Sequence, residues 1–204
     1  MILDPESEVD RLLHAYEKRV VPSLLSMPGF NMIRELEVLA LMRDLVRDFS
    51  PRCFHADHYP GHFTASALVL NANLSSVVLT LHKKLKKWLP LGGHADGNFS
   101  LPDVALREAY EESGLQKLSF LDLFSPPTLP FDVDIYEIPG RPSTPAHKHY
   151  DVSFLIIAGD GELRVSDESD DLRWFSLEEA SVLSHDEGLR RQLAKAMFLR
   201  RSKV

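Results

Sequence analysis

The stretch from residue 92 to residue 115 constrains the fold of this chain more than any other segment. Ser100 is a suitable N-cap, Asp103 can complete a capping box, and Gly114 suits the left-handed residue that ends many helices. These signals predict a loop followed by one helix over residues 101–113.

Three glutamates share one face of this predicted helix. Glu108, Glu111 and Glu112 are spaced i, i+3 and i+4, so their carboxylates stand together. Like charges at these spacings repel by roughly 0.2–0.5 kcal/mol per pair, so a purely structural helix gains nothing from them. A divalent cation would reverse that sign, and carboxylate oxygens suit Mg²⁺ or Mn²⁺. The alternative is an acidic helix face that is simply exposed to solvent.

A glycine pair precedes the helix and favours a cation site over a merely solvent-exposed acidic face. Because Gly92 and Gly93 have no side chains, their backbone amides and carbonyls can approach a ligand at the mouth of the helix. The segment therefore combines a ligand-accessible loop with a set of acidic side chains.

In its spacing this segment resembles the Nudix box, the signature of hydrolases that cleave nucleoside diphosphates linked to another moiety. Phe99 stands where that pattern has its first glutamate. In the family this glutamate mainly supports the loop and the arginine, so the departure concerns the orientation of Arg107 more than the metal site. Spacing and identity agree at Gly93, Arg107, Glu108, Glu111, Glu112 and Gly114.

The resemblance implies an α/β fold, a Nudix-type α/β/α sandwich with a mixed sheet, plus a helical N-terminal extension. The order of elements independently supports mixed α/β structure, because predicted strands surround one central helix. We expect the extension to cover residues 1–55 and the Nudix hydrolase domain to cover residues 56–204. Hydrophobic patterns predict a helix over residues 33–49 and strands over residues 63–70, 76–81, 88–91, 118–124, 131–138 and 150–158. A Trp-Phe strand before residue 177 and helices over residues 177–183 and 187–201 are predicted to follow.

The activity implied by the resemblance is metal-dependent hydrolysis of a phosphoanhydride in a nucleoside diphosphate derivative. Mg²⁺ or Mn²⁺ would be the cofactor and a small-molecule phosphoanhydride the substrate. Arg107 would orient Glu111 through their i, i+4 pair. The expected metal ligands are the carbonyl of Gly93 and the carboxylates of Glu108, Glu111 and Glu112.

Two candidates exist for the base that activates water. Glu108 lies inside the box, whereas Glu168 lies in an acidic loop over residues 166–171, with Glu162 just upstream. In several Nudix branches the base comes from a distal loop that closes over the substrate. The alternative for the loop is a hydrophilic turn without a catalytic role.

A lysine-rich segment precedes the glycine pair. Lys83, Lys84 and Lys87, together with Lys86, are expected either to hold the outer phosphates of a substrate or to form a solvated hairpin tip.

Histidines form two further groups in the sequence. His55, His58 and His62 lie in a segment punctuated by proline and glycine, and His147 and His149 lie near the start of a predicted strand. A metal site is one interpretation of the first group, and proximity to the active site is one interpretation of the second. We expect both groups to be structural, because no helical spacing aligns the first and strand-edge imidazoles are commonly structural.

Composition excludes several other classes of protein. A net charge of −7 argues against a general nucleic-acid surface, and no apolar run has the length of a membrane span. The single Cys53 excludes an intramolecular disulfide and fits a reducing cytosol, so we expect a cytoplasmic protein. The N-terminal helices are expected to pack on the core domain, with a homodimer contact as the alternative.

Two other functions are compatible with the fold that the resemblance implies. Phe99 would suit a non-hydrolytic, nucleotide-ligand-binding regulator, although the retained Glu111 and Glu112 argue against it. An isomerase of the isopentenyl diphosphate type needs a catalytic cysteine in the core domain, whereas Cys53 precedes the first core strand.

Overall fold

The computed structural model describes residues 4–122 and 126–202. A π-helical turn, Tyr16–Val20, joins the first two helices, and a short 3-10 turn, Arg52–Phe54, follows the third. The α-helices in the described ranges are α1 (Pro5–Ala15), α2 (Val21–Leu24), α3 (Met32–Phe49), α4 (Leu101–Ser113), α5 (Leu177–Leu183) and α6 (Glu187–Ser202).

The strands form one eight-stranded mixed sheet. They are β1 (Gly61–Asn71), β2 (Ser76–His82), β3 (Trp88–Leu89), β4 (Leu91–His94), β5 (Leu118–Phe120), β6 (Asp132–Ile138), β7 (His147–Ala158) and β8 (Ser169–Ser176). The pairing of β1 with β7 is parallel, while β1 also pairs antiparallel with β2 and β4. This mixed sheet with flanking helices and a helical N-terminal segment confirms the predicted fold class.

Apart from shifts of one to three residues at strand ends, the structure differs from the predicted strands at two places. The strand predicted over residues 88–91 is divided into β3 and β4 by Pro90, which has no amide proton to donate to a ladder. The strand predicted over residues 118–124 ends at Phe120, and its residues 123 and 124 lie outside the described ranges.

Helix α4 begins and ends at the predicted residues, but its N-terminus is not capped as predicted. Gly114 ends it at φ 68°, in the left-handed conformation that glycine tolerates. The predicted capping box is wrong, because the side chain of Ser100 makes no capping hydrogen bond. Instead, the Asn98 side chain accepts a 2.9 Å hydrogen bond from the Ser100 amide. Val104 and Ala109 are buried, and the helix contacts β1 and β4, whereas Asp103, Tyr110 and Glu111 are exposed.

The N-terminal helices pack within the chain through a buried ionic cluster. Lys195 on α6 is fully buried and donates hydrogen bonds to the Tyr16 hydroxyl at 2.9 Å and the Glu35 carboxylate at 3.1 Å. The same ammonium group also pairs with Asp132 on β6. Side chains from the N-terminal segment, the sheet and the last helix therefore meet at one point.

One face of the sheet is polar along two neighbouring strands. Successive side chains of a strand alternate between faces, so His62, Thr64 and Ser66 of β1 share a face. The parallel register places them opposite His149, Asp151 and Ser153 of β7. Among the described helices, none has the length and apolar character needed to cross a membrane.

Candidate active site

Gly92 and Gly93 were predicted to lie in a loop, but the structure places them in β4. The segment over residues 92–100 that they begin, called the glycine loop here, lies against the acidic face of α4. A carboxylate oxygen of Glu112 accepts a 2.8 Å hydrogen bond from the Gly92 amide. Burial raises the pKa of Glu112 to about 7, against the lowering effect of that hydrogen bond. Neighbouring carboxylates, including Glu108, raise the pKa further, so this site disfavours negative charge unless a cation is present.

Gly93 is fitted closely to Glu108. A Cβ added at Gly93 would lie 2.6 Å from the carboxyl carbon of Glu108, which is closer than such atoms approach. Burial also raises the pKa of Glu108, although the adjacent Arg107 acts in the opposite direction. The absence of a side chain at Gly93 therefore allows the carboxylate of Glu108 to lie against the loop.

Arg107 holds the loop and the helix together. Its Nη2 donates a 3.0 Å hydrogen bond to the His94 carbonyl and a 2.7 Å hydrogen bond to Glu108. The distance from its Nε to the carboxylate of Glu111 is 4.0 Å, and the side chain of Glu111 is 63% exposed. In this structure Arg107 therefore contacts Glu108 more closely than Glu111, the partner expected from the sequence.

The donor set fits a hard divalent cation. Glu108, Glu111 and Glu112 offer carboxylate oxygens from one helix, and burial raises the pKa of both Glu108 and Glu112. Oxygen ligands of this kind suit Mg²⁺ and Mn²⁺.

Phe99 makes apolar contacts at the position where the Nudix pattern has a glutamate. It is partly buried and packs on the core, with its ring edge-on to Phe54 at a centroid distance of 6.4 Å. Because Arg107 is held by His94 and Glu108, its position in this structure does not depend on a carboxylate at residue 99.

The lysine-rich segment is an exposed turn between β2 and β3. Lys83 Nζ donates to the Asp167 carbonyl at 3.2 Å, and Lys86 pairs with Asp170 at 2.5 Å. No ion pair in the described part of the chain involves Lys84 or Lys87. Asp170 lies in β8, which begins at Ser169, so the turn contacts both the acidic loop before β8 and the start of that strand.

Glu168 lies in that acidic loop and is exposed. Its backbone carbonyl accepts a 3.2 Å hydrogen bond from the Lys83 amide, which ties the loop to the lysine-rich turn. Burial is the main cause of the raised pKa of Glu112, and the charge of Glu168 adds to it, so the two carboxylates lie close enough to interact. Glu162 is also exposed.

The structure brings together histidines that are distant in the sequence. His62, His94 and His149 each offer a ring nitrogen, and these atoms lie within 4.8 Å of one another. The ring of His147 also lies 5.1 Å from that of His62 and 5.2 Å from that of His149. Burial lowers the pKa of His62 to about 4 and that of His149 to about 3, so both rings are neutral at physiological pH. Sequence reasoning did not connect these groups, and it did not select His94.

Cys53 lies in the 3-10 turn after α3 and is fully buried. Burial raises the pKa of its thiol to about 12, so the thiolate needed for nucleophilic chemistry is strongly disfavoured.

One family model and several solved structures are similar to this chain. A family model described as NUDIX domain matches residues 60–196. Among solved structures, a NUDIX family hydrolase from Clostridium perfringens is 26% identical with a TM-score of 0.53, the match covering 68% of this chain and 97% of that one. An Ap4A hydrolase from C. elegans is 16% identical with a TM-score of 0.49, covering 69% of this chain and 98% of that one. A dihydroneopterin triphosphate pyrophosphohydrolase from E. coli is 12% identical with a TM-score of 0.48, covering 64% of this chain and 91% of that one.

Proposed function

Because the chain belongs to the Nudix family of hydrolases, we propose that it is a metal-dependent pyrophosphohydrolase that cleaves a phosphoanhydride in a nucleoside diphosphate derivative. The observation that carries this proposal is the joining of the glycine loop to α4. Gly92 donates a hydrogen bond to Glu112, and Gly93 lies against Glu108, so the start of the glycine loop and two carboxylates of α4 lie together.

The acidic face of α4 is the proposed metal site. Glu108, Glu111, Glu112 and the Gly93 carbonyl are the proposed ligands of Mg²⁺ or Mn²⁺. When bound, such an ion supplies a Lewis acid that neutralises charge on the diphosphate and lowers the pKa of a bound water.

Arg107 has a positioning role in this proposal. By bonding both the His94 carbonyl and Glu108, it fixes the loop relative to one proposed ligand. The guanidinium of Arg107 also lies 4.0 Å from the carboxylate of Glu111. Because Glu111 is exposed, its side chain can rotate toward a bound ion.

The lysine-rich turn would bind the anionic end of the substrate. Lys84 and Lys87 are exposed, and Lys83 is bonded to a neutral carbonyl, so the charges of all three remain available for phosphate oxygens. Since the whole chain carries a net charge of −7, attraction of an anionic substrate depends on such local cations and on bound metal.

The test is a substrate screen at saturating Mg²⁺ or Mn²⁺. Nucleotide sugars, dinucleotides, ADP-ribose and nucleoside triphosphates are each incubated with the protein, and released phosphate products are measured. We expect hydrolysis of at least one phosphoanhydride, and its loss when the metal is chelated. Turnover that is indifferent to chelation, or binding of nucleotides without turnover across the screen, would contradict the proposal. The second result would favour the regulator that Phe99 suggests.

A further inference from the structure

Three imidazoles from three different strands meet on the polar face of the sheet. His62 lies on β1, His94 ends β4 and His149 lies on β7. His62 and His149 are direct partners in the parallel register, and His94 pairs with Thr64, the residue two positions after His62. Centroids of the three rings are separated by 4.8 to 5.2 Å. The sheet therefore holds these rings in one place through backbone pairing.

His62 supplies an unused lone pair inside this group. Its Nδ1 lies 3.3 Å from the His58 carbonyl, which can only accept, so Nδ1 carries the proton and Nε2 does not. The residue is 1% exposed, and Nε2 has no hydrogen-bond partner among the described residues. An oriented imidazole whose second nitrogen bonds a backbone carbonyl is the arrangement found in metal-ligating histidines.

His147 supports the ring of His149 from behind. Its Nδ1 lies 2.9 Å from the Pro145 carbonyl, so in the neutral ring its Nε2 is an acceptor. That Nε2 lies 3.3 Å from Nε2 of His149, which can donate to it. His147 is thus a positioning residue that helps fix the orientation of His149.

We propose that His62, His94 and His149 form a binding site for Zn²⁺, separate from the carboxylates of α4. Imidazole nitrogens suit Zn²⁺, whereas the carboxylate oxygens of the box suit Mg²⁺ or Mn²⁺. Tetrahedral Zn–N bonds of about 2.0–2.1 Å place ligand nitrogens roughly 3.4 Å apart, so the rings close by small side-chain rotations from their present separation. Three protein ligands leave one position of the ion for water or an anionic group.

The two sites touch through one residue. The carbonyl of His94 accepts from Arg107 of the box, while its ring belongs to the histidine group. They use different ligand atoms of different chemistry, so occupancy of one can be measured while the other is saturated.

The experiment titrates Zn²⁺ into the chelator-stripped full chain, against a chromogenic competitor and in a large excess of Mg²⁺. We expect one equivalent of Zn²⁺ to bind despite the Mg²⁺. His94→Ala and His149→Ala are expected to weaken binding by at least about 100-fold, since loss of an outer-shell partner alone costs about 10–100-fold. His185→Ala is the matched control, because His185 is exposed and lies outside the group.

Glu111→Gln distinguishes the histidine site from the box and is expected to bind Zn²⁺ like the wild type. Failure of the wild type to bind Zn²⁺ under excess Mg²⁺ would overturn the proposal, as would normal binding by both histidine variants. Loss of Zn²⁺ in Glu111→Gln would place the ion in the box instead. Circular dichroism checks the fold of each variant.

A Co²⁺ absorption spectrum of the wild type tests the site even if the histidine variants misfold. Co²⁺ replaces Zn²⁺ in tetrahedral sites and then absorbs visible light far more strongly than octahedral Co²⁺ does. A strong tetrahedral spectrum in excess Mg²⁺ supports the site, and a weak octahedral spectrum contradicts it.

Discussion

Glu112 accepts a 2.8 Å hydrogen bond from the backbone amide of Gly92, which joins the acidic face of α4 to the end of the strand before it. Burial disfavours the charge that this bond partly stabilises, and the pKa of Glu112 rises to about 7. Glu111, one residue earlier on the same helix, is exposed, and within the described ranges it accepts no such backbone hydrogen bond. The two neighbouring carboxylates therefore differ in burial and in hydrogen bonding, and this difference shapes how their substitutions are tested.

Glu111→Gln and Glu112→Gln are each expected to lower kcat by about 10²-fold or more, the scale on which removal of one charge-stabilising group acts. Glutamine keeps the size of the side chain and, at residue 112, an oxygen that can still accept from Gly92. Circular dichroism and melting should therefore show an intact fold. Glu37→Gln, an exposed position on α3, is the control. Near wild-type turnover of both variants at saturating Mg²⁺ would show that the metal-site assignment is wrong.

Gly93→Ala tests the fit between the loop and Glu108. The added Cβ would lie 2.6 Å from the Glu108 carboxyl carbon, so this carboxylate must move. We expect a loss of kcat with a smaller effect on the melting temperature, because the displaced group is a side chain rather than the backbone. Gly161→Ala is the control, since its Cβ would meet only a methyl carbon of Leu115, at 3.0 Å. Equal kcat in both variants would refute a catalytic role for this packing.

Phe99→Glu restores the residue that the family pattern has at this position. Since Arg107 is already held by His94 and Glu108, kcat should change only modestly. A charge beside Phe54 is expected to cost about 1–3 kcal/mol of unfolding free energy, measured by denaturant titration, with Phe99→Leu as the milder control. Turnover by the variant and not by the parent would overturn the enzymatic interpretation of the natural sequence.

Local signals predicted the helix of the candidate site well. The bounds of α4 follow from Gly114 and from the apolar spacing, both of which act within a few residues. The predicted capping box does not form, and the reason is equally local. The Asn98 side chain accepts the hydrogen bond from the Ser100 amide that Asp103 was predicted to accept. Such competition between neighbouring polar residues is not visible in a capping pattern.

The histidine group could not be predicted in this way. His62 and His149 meet because β1 and β7 pair in parallel, and parallel partners are joined by long connections whose register the sequence does not state. The same holds for Lys195, whose partners Glu35 and Asp132 lie far away in the chain. The alternation of His62, Thr64 and Ser66 along a strand was the available signal for a polar face.

Lys195→Met tests the ionic cluster that attaches the N-terminal helices. It would leave the carboxylates of Glu35 and Asp132 buried with less compensation, which is expected to cost about 3–5 kcal/mol in denaturant unfolding. Lys18→Met removes an exposed pair with Glu17 and should cost less than about 1 kcal/mol. Equal costs for the two variants would contradict the importance of the buried cluster.

The same cluster predicts a pH dependence. Burial alone would raise the pKa of Asp132, but Lys195 and Arg191 together lower it below its usual range. Asp132 therefore binds a proton more readily in the unfolded chain than in the folded one. The ionised carboxylate stabilises the fold above the usual pKa of an aspartate, and this contribution to the free energy of unfolding is lost as the pH falls below that value. Lys195→Met should reduce that acid-dependent loss.

The last prediction concerns the base that activates water. Glu168 lies in the loop that contacts the lysine-rich turn. Its negative charge adds to the effect of burial in raising the pKa of Glu112, so its carboxylate lies close enough to move next to the proposed metal site. A base needs only to reach the water, and a loop can close over a bound substrate to bring it there. Glu168→Gln is therefore expected to lower kcat by about 10²–10⁴-fold with little change in Mg²⁺ affinity. Glu162→Gln, at an exposed position upstream, is the matched control and should leave kcat near that of the wild type. If kcat of Glu168→Gln stays within a few-fold of the wild type, the role returns to another group or to Glu108, whose carboxylate already lies against Gly93.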